Sequence, residues 1–280
     1  MKTYLKPLAT GIGITLILIF VMLKITMNFQ ILLFLGAGTF FAAGIIHSES
    51  KRHFLLTTVL IAIAFNTFFV LIVLKELPVL WYFVPVYFVS CLFGVLVRKY
   101  KQPIIILSGI LAVGMLFLVI QVIPNSLESS LSKERFDKLP EFTMEDVNGN
   151  LTDSKSLAGK IIVLDFFGTW CKPCIQELKE LDKIKAYFEG ADVVFYIINA
   201  DQGNDTPEKF EAFIKKNNYT FNYVYDHESK IFKQLKMSHF GLPTLLIIDK
   251  NQNIRLQHVG YNTAEINFRE HIINTINNLK

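Results

Sequence analysis

Two cysteines three residues apart, Cys171 and Cys174, are the residues of this chain best suited to do chemistry. They sit in Trp170-Cys171-Lys172-Pro173-Cys174, directly after the apolar run Ile161 to Phe167. A pair at this spacing, at the junction of a strand and a helix, closes a small disulfide that opens and re-forms. Each cycle exchanges two electrons and two protons with a dithiol partner. The chain has 3 cysteines in 280 residues, too few for a disulfide-stapled scaffold. The nucleophile is the thiolate, and a helix N-terminus favours it through unpaired N–H groups and positive potential. Cys171 falls at that position and is the expected attacker. Cys174, one turn further in, is placed to resolve a mixed disulfide. Pro173 fits the first helical turn without losing a needed hydrogen bond, and the charge of Lys172 helps the thiolate modestly.

A zinc site is the alternative use of such a pair, but it needs two more ligands at close spacing. His227, His239, His258 and His271 are scattered singly, so no metal is expected. The redox-active Cys171–Cys174 disulfide is then the reactive group, with no other cofactor.

The elements that must position this pair fall into two unlike halves. The chain is 52% hydrophobic, and the excess lies before Pro124. Residues 1–124 carry a net charge of +7 and residues 125–280 carry −3, which together give the +4 of the whole chain. The basic balance therefore belongs to the apolar half and does not point to nucleic acid. Five apolar segments stand out: Leu8–Leu23, Phe29–Ile46, Phe54–Leu74, Val79–Val97 and Ile104–Ile123. A membrane span needs roughly 17–25 mostly apolar residues. The first segment is short and ends at Lys24, which would snorkel to the interface. No small-residue cleavage pattern follows it, so it reads as an uncleaved anchor rather than a signal peptide. The partner of this half is the lipid bilayer.

Lys51 and Arg52 share one side of that bilayer with Arg98, Lys99 and Lys101, and the positive-inside rule assigns that side to the cytoplasm. Everything after Pro124 then lies outside, in the periplasm or beyond a bacterial cytoplasmic membrane. Cys91 lies alone in the fourth segment and reads as a small buried hydrophobe, with an intramembrane redox relay as the alternative. His47 and His53 fall at segment ends and read as interfacial.

Residues 125–138 are polar, lie between Pro124 and Pro140, and read as a juxtamembrane tether or short helix. From 139 to 280 strands and helices alternate. A hairpin turns at Val147-Asn148-Gly149. Ile161–Phe167 and Val193–Ile198 are buried strands, and Lys172–Phe188 is a helix with Ile175, Leu178, Leu181, Ile184 and Phe188 on one face. A helix over Thr206–Lys216 precedes an extended Phe221–Tyr225 and a short helix over Ile231–Leu235. Thr244–Ile248 and Ile254–Val259 form a second hairpin, and a helix over Thr263–Leu279 closes the chain. The domain is α/β, preceded by an all-α helical membrane region.

Val163-Leu164-Asp165-Phe166-Phe167-Gly168-Thr169-Trp170-Cys171-Lys172-Pro173-Cys174 resembles the active-site strand and loop of the thioredoxin superfamily. With Pro140-Glu141-Phe142, Leu157-Ala158-Gly159-Lys160, Glu177, Gly241-Leu242-Pro243-Thr244, Asp249-Lys250-Asn251 and Gly260, the pattern is similar to TlpA/ResA-type membrane-anchored thiol-disulfide oxidoreductases. The resemblance covers about residues 139–280 and implies a thioredoxin-like fold. It implies that Pro243 is a cis-proline facing the cysteines and that, with Leu242, it holds the substrate backbone. Asp165 matches the buried acid that takes the proton from the resolving cysteine. Many TlpA/ResA-type proteins have a neutral residue there, so this chain leans toward thioredoxin at that point. Glu177 matches an acid that tunes the site, with a solvated helix-surface charge as the equal alternative, and Trp170 is a wall shielding the disulfide. His239, four before Pro243, reads as a plain loop histidine.

A peroxidase of related architecture needs a Pro-x-x-x-Thr-x-x-Cys loop, and no cysteine of this chain is preceded by one. The partners implied are protein thiols or disulfides and a separate membrane electron donor. The direction implied is reduction, with apocytochrome c maturation or cell redox homeostasis as settings. A disulfide oxidase, or a membrane sensor or scaffold with a redox-switch domain, are the alternatives.

Overall fold

The computed structural model describes residues 2–48, 53–200 and 204–280, so Lys51 and Arg52 of the orientation argument lie outside the described residues. The chain divides into two compact units, Met1–Ser130 with Asn262–Ala264, and Leu131–Tyr261 with Glu265–Lys280.

In the first unit the apolar segments are helices: α1 (Lys2–Phe20), α2 (Phe29–Ile46), α3 (Phe54–Phe68) with its one-turn continuation α4 (Leu74–Glu76), α5 (Phe83–Leu96), α6 (Lys101–Phe117) and α7 (Ile123–Leu131). Joined through short π and 3-10 turns, they form five stretches long and apolar enough to cross a membrane, the longest Lys101–Leu131. Helices α2 and α5 pack through glycine. A Cβ on Gly94 would come 2.1 Å from the Phe41 carbonyl oxygen, and one on Gly44 would come 2.3 Å from that of Cys91. Only hydrogen at those Cα atoms lets the backbones meet. Cys91 is fully buried in this contact. His47 shares a hydrogen bond of 2.9 Å with the Thr10 hydroxyl, and His53 lies edge-on to Tyr4, each at a helix end as expected.

The second unit is a six-stranded sheet in the order β1-β8-β7-β4-β5-β6, beside a two-stranded hairpin of β2 and β3. The strands are β1 (Ser132–Glu134), β2 (Thr143–Glu145), β3 (Leu151–Asp153), β4 (Ile161–Phe167), β5 (Val193–Ala200), β6 (Asn222–Asp226), β7 (Thr244–Ile248) and β8 (Ile254–Val259). Strands β4, β5 and β6 run parallel, and β7 lies antiparallel to β4. Helix α8 (Lys172–Tyr187) links β4 to β5, and α9 (Pro207–Asn217) links β5 to β6. The short α10 (Lys230–Gln234) follows β6, and α11 (Phe268–Asn277) closes the chain.

All seven residues of β4 are buried, because apolar layers cover both faces of the sheet. Ile161, Val163 and Phe167 meet α8, α9 and α11 on one face, while Ile162, Leu164 and Phe166 meet Leu139, Phe142, Leu157 and Phe232 on the other. Asp165 is the one polar side chain of the strand. It shares the parity of Val163 and Phe167, and so points into the α8 layer.

Of the two readings of residues 125–138, the short helix holds for the first part and a strand follows it. Ile123–Leu131 is helical, and Ser132–Glu134 pairs antiparallel with Leu256–His258 as the edge strand β1. Lys138 then bridges to Asn253. An open sheet edge offers unpaired N–H and C=O groups, and this polar stretch satisfies them without needing an apolar period. The closing helix also starts later than Thr263. The Asn262 side chain accepts the Ala264 amide at 2.9 Å, a local turn that competes with helix, which is delayed to Phe268.

Candidate active site

The loop after β4 carries the pair to the start of α8. Cys171 is the N-cap of α8 in extended conformation, Lys172 begins the helix, and Pro173 occupies its first turn. Cys171 and Cys174 form a disulfide with Cα atoms 5.3 Å apart. The Cys174 amide donates to the Cys171 sulfur at 3.3 Å, so the sulfur takes the place of the oxygen that usually caps a helix. A thiolate there gains that donor and the positive end of the helix together. Cys174 is fully buried and Cys171 is 4% exposed, which leaves Cys171 the sulfur nearer the solvent. Lys172 is exposed beside it.

Trp170 is 49% exposed, so it stands at the rim and covers the site only in part. Its indole lies against Gly168, where a Cβ would come 2.9 Å from the indole nitrogen. The Leu242–Pro243 peptide bond is cis, as the resemblance implied. The next residue, Thr244, pairs with Phe166 of β4, which brings the Leu242–Pro243 segment alongside the end of the strand that leads to Cys171. Pro243 is buried and Leu242 is partly buried against both apolar layers. His239 is exposed and lies tilted against the Phe240 ring, a loop position as read from the sequence.

Asp165 is fully buried, as the resemblance implied. Neither of its oxygens accepts a hydrogen bond from the described residues, and burial pushes its carboxyl up to about 8. Glu177 is also fully buried, so the solvated-charge reading of this residue does not hold. Burial, then the charges of Asp165 and Glu265, push its carboxyl well above the ordinary range. The helical stripe Cys174, Leu178, Leu181, Ile184 is buried, and Glu177 falls within it at i+3 from Cys174. Two carboxyls in one apolar layer do not both ionise near neutral pH.

One residue that supports the loop escaped the sequence reading. Asp205, nearly buried, accepts the Thr169 amide at 2.8 Å, the Thr169 hydroxyl, and the Asn199 side-chain amide at 2.8 Å. Thr206 caps α9 by accepting the Lys209 amide at 3.3 Å, which frees Asp205 to reach across to the cysteine loop. An Asp before Thr-Pro looks like an ordinary helix entry, and nothing local marks its long-range partner. Among the described residues no group of three or more His, Cys, Asp or Glu has the placement to hold a metal ion.

The chain is similar to known proteins over its second half. The AhpC/TSA family profile matches residues 136–257. The thiol-disulfide oxidoreductase ResA of Geobacillus kaustophilus is 26% identical over 168 residues, covering 60% of this chain and 93% of that protein. The thioredoxin-like protein YneN of Bacillus subtilis is 30% identical over 127 residues, covering 45% of this chain and 72% of that protein. A solved chain from Chlorobium tepidum, described as a candidate thiol:disulfide interchange protein DsbE, superposes with a TM-score of 0.46 at 23% identity, covering 52% of this chain and 97% of that one.

Proposed function

This chain belongs to the thioredoxin-like thiol-disulfide oxidoreductases, and from that premise we propose that it is a membrane-anchored disulfide reductase working outside the cytoplasm. The observation that carries the catalytic part is Cys171 capping α8 with its sulfur on the Cys174 amide, at the end of a strand that buries Asp165. In the reduced protein the Cys171 thiolate attacks one sulfur of a substrate disulfide. The substrate S–S bond breaks, a mixed disulfide forms on Cys171, and the first substrate sulfur leaves as thiolate. Cys174 gives its proton to the ionised fraction of Asp165 and attacks the Cys171 sulfur. The Cys171–Cys174 bond forms, the second substrate sulfur leaves, and two electrons have passed to the substrate. Run backward, a protonated Asp165 returns its proton to the departing Cys174 thiolate. A carboxyl near 8 suits both directions, because its proton affinity is close to that of an ordinary thiol.

Reduction is favoured by the resemblance to ResA-type proteins. Substrates are oxidised cysteine pairs of extracytoplasmic proteins, with apocytochrome c before haem attachment as one class. The alternation of basic loops supports the outward orientation, and the five apolar helices support the anchor. Electrons must then come from a separate membrane donor, since Cys91 is the one cysteine outside the pair and cannot form a dithiol by itself.

Cys174→Ser in the full-length chain should trap mixed disulfides through Cys171, and a membrane-impermeant maleimide should label the reduced pair in intact cells. A midpoint potential below about −250 mV marks a reductase, and one near about −120 mV marks an oxidase. An unreactive Cys171 at neutral pH, with nothing trapped, would sink the catalytic reading.

A further inference from the structure

The carboxyl ends of β4, β5 and β6 meet at a carboxylate that the exchange steps do not use. The parallel register sets Phe167 of β4 opposite Asn199 of β5, and Asn199 opposite Tyr225 of β6. Residues opposite one another project to the same face, here the one covered by α8 and α9. Asp205 lies beyond this row, between β5 and α9, and is nearly buried. The Asn199 side-chain amide donates to its Oδ2 at 2.8 Å, and the Tyr225 hydroxyl donates to its backbone carbonyl at 3.2 Å. These two bonds hold Asp205 in place. Two more run from it to the cysteine loop: the Thr169 amide donates to Oδ2 at 2.8 Å, and the Thr169 hydroxyl donates to Oδ1.

Thr169 is the second residue of a four-residue turn, closed where the Cys171 amide donates to the Gly168 carbonyl at 3.0 Å. That turn leads β4 into α8 and decides where the Cys171 sulfur lies relative to the Cys174 amide. One neutral hydrogen bond holds a turn loosely in water, whereas bonds to an ionised acceptor are roughly twice as strong. Helix α9 does not account for Asp205. Its cap is Thr206, whose hydroxyl accepts the Lys209 amide, and Pro207 fills its first turn. Burying a carboxylate is costly unless donors meet it. The donors here come from the ends of three strands, not from the helix that Asp205 precedes. Of the other charged groups near these ends, Lys172 of α8 is exposed, and Lys209 of α9 donates to the Asn204 carbonyl at 3.2 Å. Asp226 of β6 accepts the Ile231 and Phe232 amides, and Asp165 and Glu177 are buried in the layer of α8.

We propose that Asp205 is a positioning residue for disulfide exchange: it clamps both polar groups of Thr169, holds the Gly168–Cys171 turn, and so keeps the Cys171 sulfur on the cap of α8 where it attacks. This role rests on Cys171 being the attacking thiolate. The clamp acts through hydrogen bonds. The Asp205 charge by itself works the other way, since a nearby negative charge disfavours a thiolate. The two effects have opposite signs and can be told apart.

Alkylation of Cys171 by iodoacetamide, in the full-length chain in detergent micelles from about pH 5 to about pH 10, reads the thiolate fraction. A Cys174→Ser background leaves one active-site thiol and keeps the amide that caps its sulfur. Asp205→Ala should move the inflection up by about one pH unit, toward the ordinary thiol value of about 8.5, and slow alkylation at pH 7 up to about tenfold. Asp205→Asn keeps an oxygen for the Thr169 and Asn199 N–H groups and an NH2 for the Thr169 hydroxyl, so its rate should stay within about twofold of wild type. Thr169→Val, at a half-buried position, should shift the inflection in the direction of Asp205→Ala, while Thr169→Ser should leave it in place. That pair supplies the test if Asp205→Ala does not fold. A residue that only stabilises the domain would lower the urea midpoint of Asp205→Ala and leave the inflection where it is, which overturns the proposal. An inflection that falls in both Asp205→Ala and Asp205→Asn, as charge alone requires, overturns it too. No thiolate inflection below about pH 9 in the wild-type sequence at 165–173 would overturn the exchange reading, and this role with it.

Discussion

Replacing Asp165 by Asn should stabilise the oxidised domain at neutral pH while impairing the resolving step. The carboxyl is fully buried, and burial raises it from 3.8 to about 8. The unfolded chain loses this proton above about pH 4, whereas the folded chain keeps it until its own pKa is reached. The contribution is therefore fully present below the unfolded pKa, falls as pH rises through the window from about 4 to about 8, and is flat beyond. At pH 7 the gap is about three units, or about 4 kcal/mol, and at pH 5 about 2 kcal/mol. An Asn amide has nearly the same volume and does not ionise. Its unpaired burial costs about 1–3 kcal/mol, much as the protonated carboxyl does, so the two largely cancel.

The assay is urea unfolding of the full-length chain in detergent with the disulfide kept oxidised. Trp81→Phe leaves Trp170 as the one tryptophan, so its fluorescence reports the α/β unit alone. With a slope of about 2 kcal/mol per molar urea, Asp165→Asn should raise the midpoint by about 2 M at pH 7 and about 1 M at pH 5. In single turnover the same variant should form the mixed disulfide normally and resolve it about 100-fold more slowly. Equal pH slopes in variant and wild type, or a lower midpoint at pH 7, would refute the assignment of a protonated, buried Asp165.

Asp205→Ala should cost about 2–3 kcal/mol, because it strands the half-buried Thr169 amide and the buried Asn199 side chain together, and alkylation of Cys171 should lose its dependence on a single loop geometry. Amide hydrogen exchange at Thr169 and Trp170 checks it, with faster exchange expected there than in β4. Gly94→Leu places a side chain where a Cβ already comes 2.1 Å from the Phe41 carbonyl oxygen, so α2 and α5 must part. The first unit should lose thermal stability in detergent, while disulfide exchange by the second unit stays at the wild-type rate.

Much of this protein was legible because its signals are local. The β4 and β7 boundaries follow from largely apolar runs bounded by turn residues, and the five apolar segments follow from length and hydropathy. The cysteine pair and its helix start are read from spacing and from Pro173. Glu177 was readable as well, since it falls on the buried stripe with Cys174 and Leu178, though its charge argued for the surface. The β1 strand was not legible. Ser132–Glu134 has no apolar alternation, and an edge strand is held by backbone bonds to β8 rather than by side-chain burial.

The sequence by itself determined the division into an apolar helical half and an α/β half, the dithiol, and the order of the elements that hold it. Periodicity and spacing act over a few residues and need no folded context. Tertiary structure decided the burial that raises the proton affinity of the carboxyls. Asp165, Glu177, Glu265 and His258 stand far apart in the chain, and each is an ordinary charged or polar residue in isolation. Sheet register and helix packing bury all four, and the cost of burying charge raises the proton affinity of the Asp165 and Glu177 carboxyls.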